Sequence, residues 1–326
     1  MPDFSFDLPP RLIAQTPASP RDHSRLLTID RTTGALGHHH FYDLPRLLRP
    51  TDVLVFNHTQ VIPARLYGRK STGGKVEVLL LRNLGRNQWE IISHPGLRPG
   101  QIIIFPKNVS AKVVSPTRIE LWPLNLELLH KVGHTPIPPY IHSQVPEATL
   151  RRQYQTVYAK TPGSAAAPTA GLHFTRRLLG QLEIENYQLE YVTLHVGLGT
   201  FQSPTPEQIA SGKLHHEYFE LSPAVAARLR SAKSSGRRII AVGTTTTRVL
   251  ETTNLIPQTG DTDIFIKPPY KFKVIDGLIT NFHLPGSSLV MLVSAFASWP
   301  IIENAYSVAI AQNYRFYSFG DATFIS

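Results

Sequence analysis

The chain has 326 residues, 42% hydrophobic and 17% charged, which is apolar material for two packed domains or one large one and excludes a disordered chain. It contains no cysteine, which excludes disulfides and thiolate metal sites and suits a reducing compartment. Its formal net charge of +10 fits either a polyanionic partner or a solubilising surface, and no run of consecutive basic residues marks a nucleic-acid-binding tail.

The N-terminus lacks the basic flank and apolar core of a signal peptide. The longest apolar stretch, Leu289 to Ala297, falls short of the roughly 20 residues of a membrane span. A cytoplasmic protein is the expectation. The Pro- and Arg-rich opening predicts an extended arm, a strand from Arg25 to Asp30 and a turn at Thr33-Gly34. "DVLVFN", Asp52 to Asn57, predicts a short buried strand.

From Ala64 to about Pro123 the texture changes. "ARLYG", "GKVEVLLLRN", "QWEIISH", "GQIIIF", "AKVVS" and "RIELWP" follow closely, divided by Gly, Pro and Asn, as in a small barrel or sandwich. A Pro-rich connector, "TPIPPYIHSQVPE", leads out of it. After Arg151 helical and strand patterns alternate. "TRRLLGQLEIENY", "TPEQIASG", "SPAVAARLRSAKSS", "TTRVLETT", "SSLVMLVSAFAS" and "IENAYSVAIAQNY" read as helices, and "QLEYVTLHV", "RRIIAVG" and "GLITNF" as strands. Because "DVLVFN" matches this second half, the expected architecture is a mixed-sheet α/β domain built from residues 1–61 and 153–326. A small β-barrel domain, residues 62–152, is inserted into it.

Ligands of α/β domains gather outside the carboxyl ends of strands, and four such joints carry unusual residues. In "IIAVGTTTTR" hydroxyls, free N–H groups and Arg248 suit an anion, although threonines also suit helix capping; no Walker loop is present. In "LHVGLGTF" Gly197 and Gly199 let backbone approach a flat ligand, but Gln202 stands where a dinucleotide fingerprint needs glycine. In "TNFHLPGSS" Asn281 and His283 are two apart and share a face. "AAAPTAGLHFT" strips the backbone bare as far as His173, as a ligand-facing wall or a tightly packed turn would. The "HHH" and "HHE" runs lack the spacing of a zinc site, so no metal is expected.

Together "FDLPPRLIAQTP", "DVLVFNHTQVIPARLYG", "GGKVEVLLL", "YQTVYAK", "AAAPTAGLHFT", "TLHVGLGTF", "HHEYF", "AVGTTTTRVLE", "TDIFIKPPY" and "LITNFHLPGSSLVMLVSAF" resemble the S-adenosylmethionine:tRNA ribosyltransferase-isomerase family of queuosine biosynthesis. The likeness runs from residue 6 to the C-terminus. It implies transfer and isomerisation of the ribosyl part of S-adenosylmethionine onto 7-aminomethyl-7-deazaguanine (preQ1) at the anticodon wobble position of tRNA. Epoxyqueuosine forms, and adenine and methionine leave. S-adenosylmethionine is then a co-substrate, with no tightly bound cofactor, no metal and no obligate protein partner. The same family fold carries a β-barrel inserted in an α/β domain.

The reaction needs a base beside the sulfonium carbon and a proton donor for adenine. The candidates are His173, His195 and His283, with Glu217 as partner or alternative base. A ring from Phe174 or Tyr218 suits the sulfonium cation. Thr169, Gly171, Gly197, Gly199, Thr244, Thr245, Arg248, Asn281, Asn57 and Arg65 are candidate substrate-binding residues. The chain departs from the family pattern at His58, where Asp is expected, and in "PPY", "GDATFI" and "ISHPG". Two rivals remain. An S-adenosylmethionine-dependent RNA methyltransferase lacks its glycine fingerprint here, and a non-catalytic RNA-binding module does not need His, Thr and Gly at strand ends.

Overall fold

The computed structural model describes residues 4–123, 125–197 and 204–326. Among these, nine strands form one mixed sheet in the order Gln258–Ile264, Lys213–Leu221, Gln188–Leu194, Val53–Asn57, Ile239–Val242, Gly277–Asn281, Ala322–Ile325, Arg25–Ile29 and Leu36–His40. Val53–Asn57 lies parallel to Gln188–Leu194 on one side and to Ile239–Val242 on the other, and Gly277–Asn281 continues the parallel set. Every residue of Val53–Asn57, Ile239–Val242 and Gly277–Asn281 is buried, because helices and loops cover both faces of a parallel sheet.

The helices Arg176–Ile184, Pro206–Ser211, Pro223–Ser234, Thr244–Thr253, Ser288–Ala297 and Trp299–Ala311 fall where the periodicity put them. Thr205 and Gln208 form a reciprocal capping box, and Ser222 caps the next helix through the Val225 N–H. The strands Leu36–His40, Lys213–Leu221, Gln258–Ile264 and Ala322–Ile325 were not signalled. They are short, or polar on one face, and take their conformation from the neighbour they pair with. No single helix among the described residues is long and apolar enough to cross a membrane.

The barrel closes as Arg118–Trp122, Gln88–His94, Lys75–Gly85, Arg65–Lys70, Ile102–Ile104 and Ser110–Ser115, every pair antiparallel. Alternate residues point inward to a core of its own, including Leu66, Val78, Ile91, Ile103, Ala111 and Ile119. Short strands Thr59–Val61 and Thr161–Ser164 pair in parallel, so the segments that precede and follow the barrel lie side by side. Between Gly85 and Gln88 the hairpin turns on Arg86 and Asn87, with φ of 48° and 62°; a two-residue turn of this hand matches the strand twist.

Candidate active site

Four parallel strands end at one edge of the sheet, and their last residues or the next ones are Asn57, His195, Gly243 and Asn281. Asn57 fastens this edge. Its side-chain amide donates to the Leu194 carbonyl at 2.9 Å and to Thr245 Oγ1 at 3.2 Å. Its Oδ1 accepts the Leu194 and Thr59 N–H groups, both at 3.1 Å. With all four positions filled, a fully buried Asn carries no unpaired polar atom.

A cleft of about 910 Å³ lies between the barrel and the sheet edge, within the roughly 300–1,000 Å³ of small-molecule sites. The sheet side contributes Gly163, His195, Gly197, His215, Glu217 and Tyr218. His195 Nδ1 is 2.7 Å from Thr59 Oγ1, whose own proton has the Thr161 carbonyl at 3.5 Å. That arrangement makes Nδ1–H the donor to Thr59 and leaves Nε2 as the basic nitrogen. Gly163, with φ of 147°, brings bare backbone against this nitrogen; a Cβ there would stand 2.7 Å from it. Burial, and then the neighbouring His58, push the His195 pKa down to about 4, so the ring is neutral at pH 7. Tyr218 stacks on the ring at 5.3 Å and 22°.

Glu217 sits beside them, 2% exposed, and accepts the Gly197 N–H through Oε1 at 2.9 Å. Its other oxygen is ion-paired with Nη1 of Arg248, which is also buried. The pairing of Lys213–Leu221 with Gln258–Ile264 shifts register between Lys213 and Glu217, and such a bulge re-aims side chains at a site. Arg248 therefore reaches the cleft through Glu217.

His173 and His283 lie elsewhere. The Asn281 amide donates to His173 Nε2 at 3.1 Å, which makes Nδ1–H the donor to Ser24 Oγ at 2.7 Å. Phe41 stacks on the ring, and burial, then Arg315 and Arg21, push its pKa down to about 3. His283 Nε2 is 2.9 Å from Thr280 Oγ1 and is likewise pushed down to about 3 by burial. Neither lines the cleft.

The small-residue run is also packing rather than an open wall. Ala165, Ala166 and Ala167 are at most 3% exposed, and Thr169–His173 is a tight 3-10 turn. A Cβ on Gly171 would stand 1.8 Å from the Tyr158 hydroxyl, so only glycine fits. Phe174 is fully buried between Phe41 and Phe56 and cannot face a cation; of the two expected rings Tyr218 lines the cleft, as Trp89 does from the barrel side. The four threonines all lie within the helix that Gly243 caps with φ of 91°. Thr246 and Thr247 return their hydroxyls to their own backbone, whereas Thr245 meets Asn57, and Thr244 is buried beside them. Arg65 pairs with Glu77 and the Ile137 carbonyl on the barrel. Gly199 lies outside the described residues.

His58 faces away from the cleft, because successive residues of an extended chain point to opposite sides. It stacks on Tyr191, meets Thr193 Oγ1 at 3.0 Å, and lines a separate hollow of about 420 Å³. Sequence reasoning missed Thr59, although its spacing of two from Asn57 signals a shared face. It also missed the barrel wall of the cleft, with Arg82, Arg86 and Arg118, which no motif marks. Among the described residues no group of three or more His, Asp or Glu is placed to hold a metal ion.

Residues 1–325 match the model of the family described as queuosine biosynthesis protein. The chain is 49% identical to the S-adenosylmethionine:tRNA ribosyltransferase-isomerase of Symbiobacterium thermophilum, covering 99% of this chain and 98% of that one. It is 47% identical to the enzyme of the same name from Carboxydothermus hydrogenoformans, with the same coverage. The crystal structure of S-adenosylmethionine tRNA ribosyltransferase from Thermotoga maritima matches with a TM-score of 0.58 at 35% identity, over 99% of this chain and 100% of that one. Matched along its length by sequence and by fold, the chain belongs to the queuosine biosynthesis protein family.

Proposed function

We propose that the protein is an S-adenosylmethionine:tRNA ribosyltransferase-isomerase acting in the cytoplasm on tRNA that carries preQ1 at the anticodon wobble position. It moves and isomerises the ribosyl group, yielding epoxyqueuosine and releasing adenine and methionine, without a resident cofactor, a metal or an obligate protein partner. Residues 1–61 and 153–326 act as the catalytic domain and residues 62–152 as an inserted one. The observation that carries this reading is the cleft wall on which a neutral imidazole, a carboxylate and an aromatic ring stand together, His195, Glu217 and Tyr218.

His195 Nε2 is the base that takes the proton beside the sulfonium carbon, and the imidazolium so formed returns a proton to the departing adenine. A pKa below neutrality makes the first step weaker in driving force and the second stronger. Glu217 and the face of Tyr218 hold the sulfonium cation. Gly163 and Gly197 keep the floor low enough for a flat base and sugar. Asn57, Thr59 and Thr245 set the height of His195, and Arg248 holds Glu217 in place.

One incubation tests it. With S-adenosylmethionine and preQ1-bearing tRNA, adenine and methionine appear in equal amounts and the tRNA gains the mass of the rearranged sugar. S-adenosylhomocysteine as the product would make the protein a methyltransferase. An untouched co-substrate would leave an RNA-binding module.

A further inference from the structure

We infer that the two walls of the cleft sort the two substrates by charge, the barrel wall gripping RNA phosphates through Arg86 and Arg118 while the sheet wall keeps the sulfonium. This assignment rests on the transferase reading above. The barrel wall presents Arg82, Arg86 and Arg118, interleaved with the amides of Asn83 and Asn87. Arg82, Glu90 and Arg118 stand opposite one another on three adjacent strands, Lys75–Gly85, Gln88–His94 and Arg118–Trp122, and so share a face. Arg82 is committed to Asp261 of the edge strand, 2.8 Å away. Arg86 and Arg118 are exposed and have no ion-pair partner among the described residues. Glu90 is the one acidic side chain that lines this wall among the described residues, so the row is net positive.

The sheet wall has no such excess, because its one carboxylate among the described residues, Glu217, is ion-paired with Arg248. Among the described residues no Lys or Arg lines the cleft from that side; Glu217 and Tyr218 do. A polyanion gains no attraction from the sheet wall, whose carboxylate is compensated by Arg248, and a sulfonium brought to the barrel wall would meet guanidinium groups. The barrel wall attracts the polyanion and repels the cation, while the sheet wall, without net charge, leaves the cation the face of Tyr218. Arg86 occupies the turn of the Gly85–Gln88 hairpin, where its left-handed backbone holds it out at the cleft rim, within reach of a strand lying across the mouth. Guanidinium forks suit phosphate oxygens in two contacts at once.

The test is the salt dependence of tRNA binding by the full chain. Arg86→Ala/Arg118→Ala is expected to weaken tRNA binding and to flatten the plot of log affinity against log salt by about 0.7–1 per arginine. Its KM for S-adenosylmethionine stays at the wild-type value. Tyr218→Leu is expected to do the opposite, raising that KM and leaving the salt slope alone. Arg46→Ala/Arg49→Ala removes the same charge from an exposed site that does not line the cleft and serves as the control. An unchanged slope in the barrel variant, or an equal change in the control, overturns the wall assignment. Release of adenine and methionine by wild type is read in parallel. If it occurs while the slope is unchanged, the sorting fails and the transferase reading stands; if it fails, that reading falls on its own.

Discussion

The His195 imidazole and the Thr59 hydroxyl meet at 2.7 Å across 136 residues of chain, and this contact decides which ring nitrogen is basic. Thr59 is fully buried and its backbone N–H is held by Asn57, so the hydroxyl has little freedom to turn away. His195 thus inherits its position from the strand end at Asn57.

Thr59→Val keeps the shape and deletes the acceptor. It is expected to lower kcat by about 10²-fold, the scale of a misplaced general base, with KM for S-adenosylmethionine nearly unchanged. Thr59→Ser restores the hydroxyl and most of the rate. Single-turnover adenine release measures both. Equal losses in the two variants would attribute the effect to the methyl group instead.

Histidines with strongly depressed pKa values make stability depend on pH. His173 and His283 titrate at about 3 and His195 at about 4 in the folded chain, against about 6.5 when unfolded. Between those values the unfolded chain binds more protons, so stability is complete above about pH 6.5 and is lost as pH falls toward 4 and then 3. Each group steepens the loss by at most about 1.4 kcal/mol per pH unit. Denaturant midpoints between pH 7 and 5 should fall, and less so in His283→Asn if that variant folds. The acid limb of single-turnover adenine release should lie well below pH 6.5. A limb at 6.5 would mean that His195 is not the base.

Arg248 and Glu217 are buried partners, so removing one leaves the other charged and unpaired. Arg248→Ala is expected to cost about 3–5 kcal/mol in urea unfolding and to abolish turnover. Glu217→Gln/Arg248→Met removes both charges and should regain much of that stability without regaining turnover. Recovery of activity in the double variant would reduce the pair to a packing element.

Gly171→Ala drives a methyl into the Tyr158 hydroxyl, an overpacking expected to cost about 1–3 kcal/mol. The Tyr158 hydroxyl is buried without a hydrogen-bond partner among the described residues, so Tyr158→Phe should be tolerated alone. It should also rescue part of the Gly171→Ala loss, since the ring carbon behind it would still be 2.9 Å away. A double-mutant cycle on melting midpoints reads the coupling. Strict additivity would show that the two residues do not meet.

Much of the architecture was legible because it is local. Helix caps such as Thr205-Gln208, the buried run Val53–Asn57 and the close-set strands after Ala64 each announce themselves within a few residues. The edge strand Gln258–Ile264 was not, because its polar sequence becomes a strand only beside Lys213–Leu221. At the site, His173, His195 and His283 look alike in the sequence, each at the end of a glycine-rich or strand-end motif. Their fates differ because tertiary contacts fill both nitrogens of His173, enclose His283 against Thr280, and leave His195 Nε2 facing a cleft.

The sequence by itself determined the strand-end joints, the barrel-like block between the two stretches of sheet, the excess of positive charge and the family likeness, all of which rest on residue type and near-neighbour spacing. Only the tertiary structure decided that Glu217 answers Arg248, that Thr59 rather than a carboxylate orients His195, that His58 turns to the opposite face, and that the arginines of the barrel stand across from the sheet. Those relationships join segments far apart in the chain, and their geometry follows from strand register and the packing of the two bodies, which no local pattern encodes.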